Sequence, residues 1–157
     1  MVITTEDYKV IKCDVLPTAS VDYEGIRAIL QTVGARDKIF CSNAIDLPKI
    51  MKEKVDAIAS EPFLIPLITY TPKDNEARKM ITKAKYTYIN TLKELKKILK
   101  DEGKIALSLP VMRARESKVH LDIDEICSET GLKLISGPFS ESREGQRIER
   151  EIIVLEK

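Results

Sequence analysis

The sequence predicts an α/β fold with a mostly parallel sheet and an antiparallel hairpin at the carboxyl end. Short apolar runs alternate along the chain with longer amphipathic segments, which is the pattern of strands separated by helices. Residues 104–110 form an almost uninterrupted apolar run, as is typical of strands inside a parallel sheet. Two further apolar runs near the end are separated by a short polar stretch, which predicts the hairpin.

Three strands are predicted in the first part of the chain, over residues 8–15, 38–44 and 55–62. A helix is predicted between the first two, because apolar side chains recur at three- and four-residue steps from residue 21 to 33 and Gly34 stands where helices end. A short helix or turn leads from Asp46 through Lys54 to the third strand. That strand is closed by a proline, which ends ladder pairing.

The second part of the chain begins with a long helix over residues 74–100. Its apolar side chains form one stripe, consisting of Ile81, Ala84, Tyr88, Leu92, Leu95 and Leu99. A strand over residues 104–110 and a helix around 123–130, stopped by Gly131, come next. The hairpin strands are predicted at 132–137 and 148–155. With 157 residues and no internal repeat, residues 1–157 are expected to form a single domain.

Composition excludes several classes of protein. The chain has 26 basic and 25 acidic residues, so no strongly basic nucleic-acid arm is expected, although a local basic face is compatible with this balance. Cys13, Cys41 and Cys127 are widely spaced and form no CxxC or Cys/His group, so neither a disulfide framework nor a metal site is predicted. The longest uncharged stretch is too short for a membrane span and no secretory signal is present, so a cytoplasmic location is expected.

Polar residues follow the predicted parallel strands at the ends where such sheets bind ligands. Asp14 follows the first strand, Asn43 the second and Ser60-Glu61-Pro62-Phe63 the third, while Ser108 precedes the proline that ends the fourth. Each of these residues alone is equally compatible with a helix cap or a turn. Asn43 follows Asp14 by 29 positions, the length of one helix-and-strand unit, so both are expected on the same edge of the sheet.

The sequence around these strand ends resembles the latter part of Rossmann-like S-adenosylmethionine-dependent methyltransferases, and specifically the archaeal RNA methylases that modify the exocyclic amine of guanine in tRNA. The resemblance is carried by residues 11–15 (Ile-Lys-Cys-Asp-Val), 43–48 (Asn-Ala-Ile-Asp-Leu-Pro) and 55–63 (Val-Asp-Ala-Ile-Ala-Ser-Glu-Pro-Phe). It continues through the long helix and residues 99–110, and so covers about residues 8 to 157. The resemblance implies a methyltransferase sheet and S-adenosylmethionine as the cofactor.

The resemblance also assigns roles to the residues at the strand ends. An acid after the second family strand holds the ribose hydroxyls of the cofactor, which corresponds to Asp14, and the following pair reads the adenine, which corresponds to Asn43 and Ala44. The family's Asp-Pro-Pro-Tyr motif is replaced by Ser60, Glu61, Pro62 and Phe63. In that motif an acceptor group orients the target amine and the aromatic ring stacks on the flipped base, roles that Glu61 and Phe63 can fill. The alternative is an ordinary strand end with Phe63 packed in a core.

The chain departs from the family at its beginning. A methyltransferase needs a first strand followed by a glycine-rich turn, which lets the backbone approach the methionine part of the cofactor. No glycine precedes Gly25, so the first strand is predicted to be missing or replaced and the sheet to be a truncated one. Because that strand is central in the family, its loss leaves two strand edges to be paired. They could pair with each other, with Val2-Ile3-Thr4, or with another chain, and we favour a homo-oligomer or a partner chain that supplies the missing strand.

The remaining candidates for chemistry are few. His120 is the only histidine and is expected in a loop or on the surface. Residues 73–104 carry ten basic against five acidic side chains, which indicates either a solvated helix face or a phosphate-contacting surface. Arg113 and Arg115 are better placed to meet a phosphate, so RNA is a candidate partner. Two functions follow: a nucleic-acid amine methyltransferase that works with a partner chain, or a non-catalytic subunit or scaffold with the methyltransferase fold.

Overall fold

The computed structural model describes residues 2–4, 11–14, 38–41, 43–62, 65, 68–142 and 145–157, and for the strands before residue 43 it describes the backbone pairing alone. The strands are β1 (Val2–Thr4), β2 (Ile11–Asp14), β3 (Lys38–Cys41), β4 (Val55–Ser60), β5 (Leu99–Arg113), β6 (Lys118–Val119), β7 (Lys133–Glu141) and β8 (Ile148–Glu156). The helices are α1 (Leu47–Ile50), α2 (Asp74–Ile98) and α3 (Ile123–Thr130), and a 3₁₀ turn, Ala44–Asp46, precedes α1. The predicted helix over residues 21–33 lies outside the described residues.

The described strands form one sheet in the order β3-β2-β1-β4-β5-β8-β7, with β6 paired to β5. β2 is parallel to β3 and β4 is parallel to β5, while β1 is antiparallel to both β2 and β4. β2, β3, β4 and β5 therefore run in one direction. β8 is antiparallel to β5 and β7, so the chain ends in the antiparallel hairpin. The predicted fold class is confirmed.

The centre of the sheet is occupied by the chain's own first strand. Val2 pairs with Lys12 of β2 on one side and with Ala59 of β4 on the other. Of the three arrangements considered, the structure has Val2–Thr4 between the two strands, and not the strand from another chain that was favoured. β1 runs opposite to its neighbours, so its amino end lies level with their carboxyl ends. A homo-oligomer or a partner chain stays a prediction.

The helices cover one face of the sheet. α2 buries one stripe of side chains against it, namely Ala77, Ile81, Tyr88, Ile89, Leu92, Leu95 and Ile98. These residues pack with Ile58, Ile105, Leu107, Ile153 and Leu155 from the strands, and α1 and α3 flank the same core through Leu47 and Ile126. Side chains alternate between the faces of a strand, so Ala106 and Ser108, which lie between the core residues of β5, point to the face opposite α2.

Several boundaries differ from those predicted. The strand predicted to end at Pro110 continues to Arg113, because Pro110 stays paired with Arg150 of β8. β5 begins at Leu99, directly after α2, and not at residue 104 as predicted. Leu99 already pairs with Val55, residues 100–103 form an irregularity, and regular pairing with β4 resumes at Ala57–Lys104. β7 continues to Glu141, although Gly137 and Pro138 indicated that a strand ends there. The strand passes these residues as a bulge against β8, and a Cβ on Gly137 would lie 2.5 Å from the carbonyl oxygen of Ile152. A bulge and a strand end share the same residue signals, so the sequence did not separate them.

β5 and β8 extend well beyond β4. The last residue of β4, Ser60, pairs with Leu107, whereas β5 continues for six more residues to Arg113 and stays paired with β8. The two strands thus form a ribbon that projects about 20 Å past the end of β4. No helix among the described residues is both long and apolar enough to cross a membrane.

Candidate functional site

The carboxyl ends of β2, β3 and β4 share one edge of the sheet, which we call the rim, and β5 runs past this edge. Asp14 pairs with Cys41, so β2 and β3 end at the same level. Val2 pairs with both Lys12 and Ala59, so positions two residues further along β2 and β4 are also level with each other. Only β1 separates these strands, and the backbone of Asp14 therefore lies about 10 Å from the chain at Glu61. The rim brings together residues that the sequence analysis had assigned to the cofactor and to the acceptor.

Asn43 lies just past the end of β3 on this rim. It caps the 3₁₀ turn, because its backbone is extended and its side-chain Oδ1 accepts a hydrogen bond from the Ile45 N–H at 3.2 Å. This is the helix-cap role that the sequence left as an alternative, and it holds an exposed amide at the rim. Ala44 is buried and joins the core beneath it. The structure describes no side-chain contacts for Asp14.

Glu61 and Ser60 follow β4 at the same edge. Glu61 is 58% exposed, and its Oε1 lies 2.7 Å from Nη2 of Arg150, which projects from β8. Ser60 and Pro62 are half-buried, and Phe63 lies outside the described residues. The Arg150 guanidinium holds the carboxylate in place and leaves Oε2 to accept further hydrogen bonds. The sequence analysis did not identify Arg150, because no motif in the neighbouring sequence indicates which residue of β8 lies beside the end of β4.

Tyr88 lies under the rim. It is buried on α2, and its hydroxyl donates a hydrogen bond to the carbonyl oxygen of Ser108 at 3.2 Å. That carbonyl belongs to the part of β5 beyond its pairing with β4. Burial, helped by the negative charge of Glu61, raises the pKa of Tyr88 far above its ordinary range. The phenol therefore stays protonated and acts as a donor. In the sequence Tyr88 was one residue of an apolar stripe, with no signal of this contact.

A cavity of about 400 Å³ opens beside Glu61, between β4, β5 and β8. Ala59, Ala106 and Ile152 form its apolar floor, and Glu61, Ser108 and Glu141 supply polar groups. Ser108 is only 8% exposed, and its Oγ has no hydrogen-bond partner among the described residues. The sequence analysis noted Ser108 at a strand end but gave it no role.

The basic surface expected for RNA is largely committed to ion pairs. Arg113 and Lys118 both contact the buried carboxylate of Glu149, each at 2.7 Å. Arg115 is exposed. Most lysines of α2 and the start of β5 pair with acids, in the pairs Lys85–Glu125, Lys93–Glu129, Lys97–Glu94, Lys100–Asp56 and Lys104–Glu156. This pairing favours the solvated-face interpretation of α2, and RNA binding stays a prediction.

Two other residues have structural surroundings. His120 is exposed, as predicted, and its Nδ1 lies 3.0 Å from Oε1 of Glu151. Cys127 is half-buried in α3, and burial raises the pKa of its thiol, so it is not an activated nucleophile. In the described part of the chain, no three His, Cys, Asp or Glu side chains are grouped so that they could hold a metal ion.

Comparison with known proteins places this geometry in a structural class. No family model and no curated protein matches the chain. Solved structures do match: the Burkholderia thailandensis 1,6-didemethyltoxoflavin-N1-methyltransferase, with bound S-adenosylhomocysteine, has a TM-score of 0.60 at 11% identity over 94% of this chain. TrmN from Thermus thermophilus gives 0.53 at 17% identity over 94%, and an rRNA methylase from Streptococcus thermophilus gives 0.51 at 13% over 95%.

The chain has the Rossmann-like fold of S-adenosylmethionine-dependent methyltransferases. These identities show the fold alone. The chain spans 36% of the length of the Thermus protein and 60% of that of the Burkholderia enzyme. Because parallel α/β sheets bind ligands at the carboxyl ends of their strands, the rim residues can be compared with the chemical groups of S-adenosylmethionine.

The rim suits the adenosine part of S-adenosylmethionine but not its methionine part. A carboxylate at the end of β2 and a capped amide after β3 are acceptors suited to ribose hydroxyls and an adenine amine. The methionine part needs a glycine-rich turn after the central strand. β1 presents its amino end to the rim, so a turn after Thr4 leaves from the opposite edge, and residues 5–10 contain no glycine. The residues present fit the adenosine part alone.

Proposed function

We propose that this chain is the adenosine- and acceptor-binding part of an S-adenosylmethionine-dependent methyltransferase that acts on an exocyclic amine of a nucleic-acid base, as the archaeal tRNA guanine-amine methylases do. A partner chain or a second copy supplies the glycine-rich element. The observation that carries the proposal is the rim, where the carboxyl ends of strands β2, β3 and β4 lie level with one another.

The cofactor half of the rim has three residues. Asp14 accepts hydrogen bonds from the ribose hydroxyls and Asn43 contacts the adenine, while Ala44, buried in the core, supports Asn43 from beneath. The cap on Asn43 holds its amide before any ligand arrives, so little side-chain entropy is lost on binding. When bound, the cofactor supplies an electrophilic methyl group.

The acceptor half of the rim begins at the end of β4. The Glu61 carboxylate accepts an N–H of the target amine and so orients its lone pair, while Phe63 stacks on the base and Ser60 and Pro62 shape the turn. The Arg150 guanidinium, 2.7 Å from Oε1 of Glu61, restricts the rotation of that side chain. Tyr88, fixed as a neutral donor, ties the free edge of β5 to α2 beneath this turn. Positioning of this kind is a major source of rate enhancement when two reactants must meet in line.

The second candidate is a non-catalytic subunit with the methyltransferase fold. The reversed central strand favours it, because β1 fills the place of the strand that should carry the glycine-rich turn. On this hypothesis the rim residues are retained from an ancestor, and the chain acts by binding another protein or RNA.

The two functions are separated by a methyl-transfer assay. The chain is purified from its native cells with the polypeptides that stay bound, and transfer of labelled methyl from S-adenosylmethionine to small RNA from the same cells is measured. Glu61→Gln removes the charge that orients the amine and is expected to lower the rate at least about 100-fold. Glu116→Gln, an exposed carboxylate away from the rim, serves as the control. Unchanged transfer by Glu61→Gln contradicts the role of Glu61, and no transfer by the unaltered assembly supports the non-catalytic candidate.

A further inference from the structure

We propose that Ser108, beside the Glu61 carboxylate that Arg150 holds, binds the acceptor base by donating a hydrogen bond to a neutral carbonyl oxygen or ring nitrogen next to the target amine. This inference rests on the proposed function and deepens it, because it names a second group that the acceptor must carry. The site is the cavity beside Glu61.

The first observation is the unpaired hydroxyl of Ser108. The residue is 8% exposed, lines the cavity, and has no partner for Oγ in the part of the chain that the structure describes. A buried hydroxyl without a partner is costly, and nearly all such groups in folded proteins are satisfied by protein, water or ligand. Since this hydroxyl faces a cavity, a ligand that accepts from it relieves that cost.

Arg150 is the neighbour of Ser108 that fixes the Glu61 carboxylate. Its Nε is also buried without a partner among the described residues, although Nη2 binds Glu61. Ser108 pairs with Ile152 and Pro110 pairs with Arg150, so Ser108 and Arg150 are diagonal neighbours on the same face of the β5–β8 ribbon. The Ser108 hydroxyl and the fixed Glu61 carboxylate both line the cavity, and this pair matches a ligand with an acceptor atom adjacent to N–H groups.

The charge of the site excludes a phosphate. Glu61 and Glu141 contribute two negative charges to the lining of the cavity, whereas Arg150 is not part of the lining and its positive charge is bound to Glu61. An anion would meet net repulsion here, whereas a neutral heterocycle would not. The acceptor atom is therefore a ring carbonyl or ring nitrogen.

The floor of the cavity suits a planar ring. Ala59 and Ala106 are paired across β4 and β5. Their methyl side chains are short, so together with Ile152 they form a nearly flat apolar surface. The volume of about 400 Å³ lies in the range of small-molecule sites. A nucleobase on this floor can present its amine to Glu61 and its neighbouring acceptor to Ser108.

The test uses guanosine and inosine, which differ only by the exocyclic amine, in titrations of the full ¹⁵N-labelled chain. The amide signals of Ala59, Ala106 and Ile152 report binding. Guanosine is expected to bind more tightly than inosine, and Ser108→Ala is expected to weaken both roughly tenfold. Ser140→Ala, on the exposed edge strand β7, is the control and should bind as the unaltered chain does.

Thermal unfolding of the same variants separates a binding role from a structural one. If Oγ has no partner in the protein, Ser108→Ala removes a buried unsatisfied group and raises Tm by roughly 2–4 °C. A fall in Tm of similar size means that the hydroxyl supports the fold, and overturns the inference. Guanosine that leaves the three amide signals unmoved, or that binds Ser108→Ala as well as the unaltered chain, also overturns it.

The outcomes also distinguish this inference from the proposed function. Methyl transfer that is insensitive to Ser108→Ala overturns the inference and leaves the proposed function standing. Nucleoside binding that depends on Ser108, in an assembly that transfers no methyl group, supports the inference and contradicts the proposed function.

Discussion

At the scale of single residues, Glu149 shows how the projecting ribbon of β5 and β8 is held together. Its side chain is only 6% exposed and contacts Lys118 and Arg113, both at 2.7 Å. The hydrogen bond from Lys118, followed by that from Arg113, lowers the pKa of Glu149 below its ordinary value of 4.5. The two cations are about half exposed, so their hydration is only partly lost in making the pair.

The lowered pKa predicts how stability depends on pH. A carboxyl group whose pKa is lower in the folded state adds stability above its unfolded pKa, near 4.5, and loses that contribution as the pH falls through the folded pKa. Glu149→Gln is therefore expected to cost about 1–2 kcal/mol at pH 7 and almost nothing in strongly acidic solution, where Glu149 is itself protonated. Urea unfolding at both pH values measures this. A loss of equal size at both contradicts the account, and Glu116→Gln, an exposed carboxylate, is the control.

The residue scale also shows what the sequence could predict about the site. Asp14, Asn43 and Glu61 were expected at one edge of the sheet as a consequence of strand direction alone, and the strands before them do end there, while their roles stay predictions. Arg150 and Tyr88 were not found, since their contacts depend on the register of β8 and on the position of α2 over the rim. Ser108 was visible as a strand-end residue, but its missing partner is a property of the packed structure.

At the scale of elements, α3 is held at both ends. Asp122 caps its start by accepting from the Glu125 N–H at 2.9 Å, and Gly131 closes it with a φ of 63°. Lys96, from α2, donates to the last carbonyl groups, those of Thr130 at 3.0 Å and Gly131 at 2.7 Å. A cation at this end also interacts favourably with the helix dipole.

The capping role of Lys96 predicts that its substitution lowers the free energy of unfolding more than the substitution of the neighbouring Lys97 does. Lys96→Met keeps the aliphatic stem but leaves two carbonyl groups without their donor, and should cost about 1–2 kcal/mol. Lys97→Met, which removes an exposed pair with Glu94 one position away, should cost less than about 0.5 kcal/mol. Chemical denaturation of both variants compares them. Equal losses contradict the role of Lys96 as a cap.

Elements with strong local signals were predicted closely. The helix over residues 123–130 has the predicted bounds, because its cap and its closing glycine are both local. α2 ends at Ile98, two residues before the predicted end, where the chain turns straight into β5. β7 was underestimated at Gly137, since only the pairing with β8 distinguishes a bulge from a strand end.

At the scale of the whole molecule, the strand order and the shared rim match the methyltransferase fold, while the direction of the central strand does not suit its glycine-rich turn. The sequence indicated both properties, one through strand-end motifs and the other through the lack of glycine before Gly25. It did not decide among the three ways of closing the sheet, because pairing by a strand as short as Val2–Thr4 leaves little signal in composition or periodicity.

The most direct test compares adenosine with S-adenosylhomocysteine in thermal unfolding of the full chain. Because the rim fits the adenosine part alone, both ligands should raise Tm equally, by about 3–6 °C at ten times their Kd, which corresponds to roughly 1.4 kcal/mol. Asp14→Ala should abolish both shifts and leave the Tm of the free chain nearly unchanged. A Tm that millimolar adenosine and S-adenosylhomocysteine both leave in place contradicts the account of the rim as the remnant of a methyl-donor site.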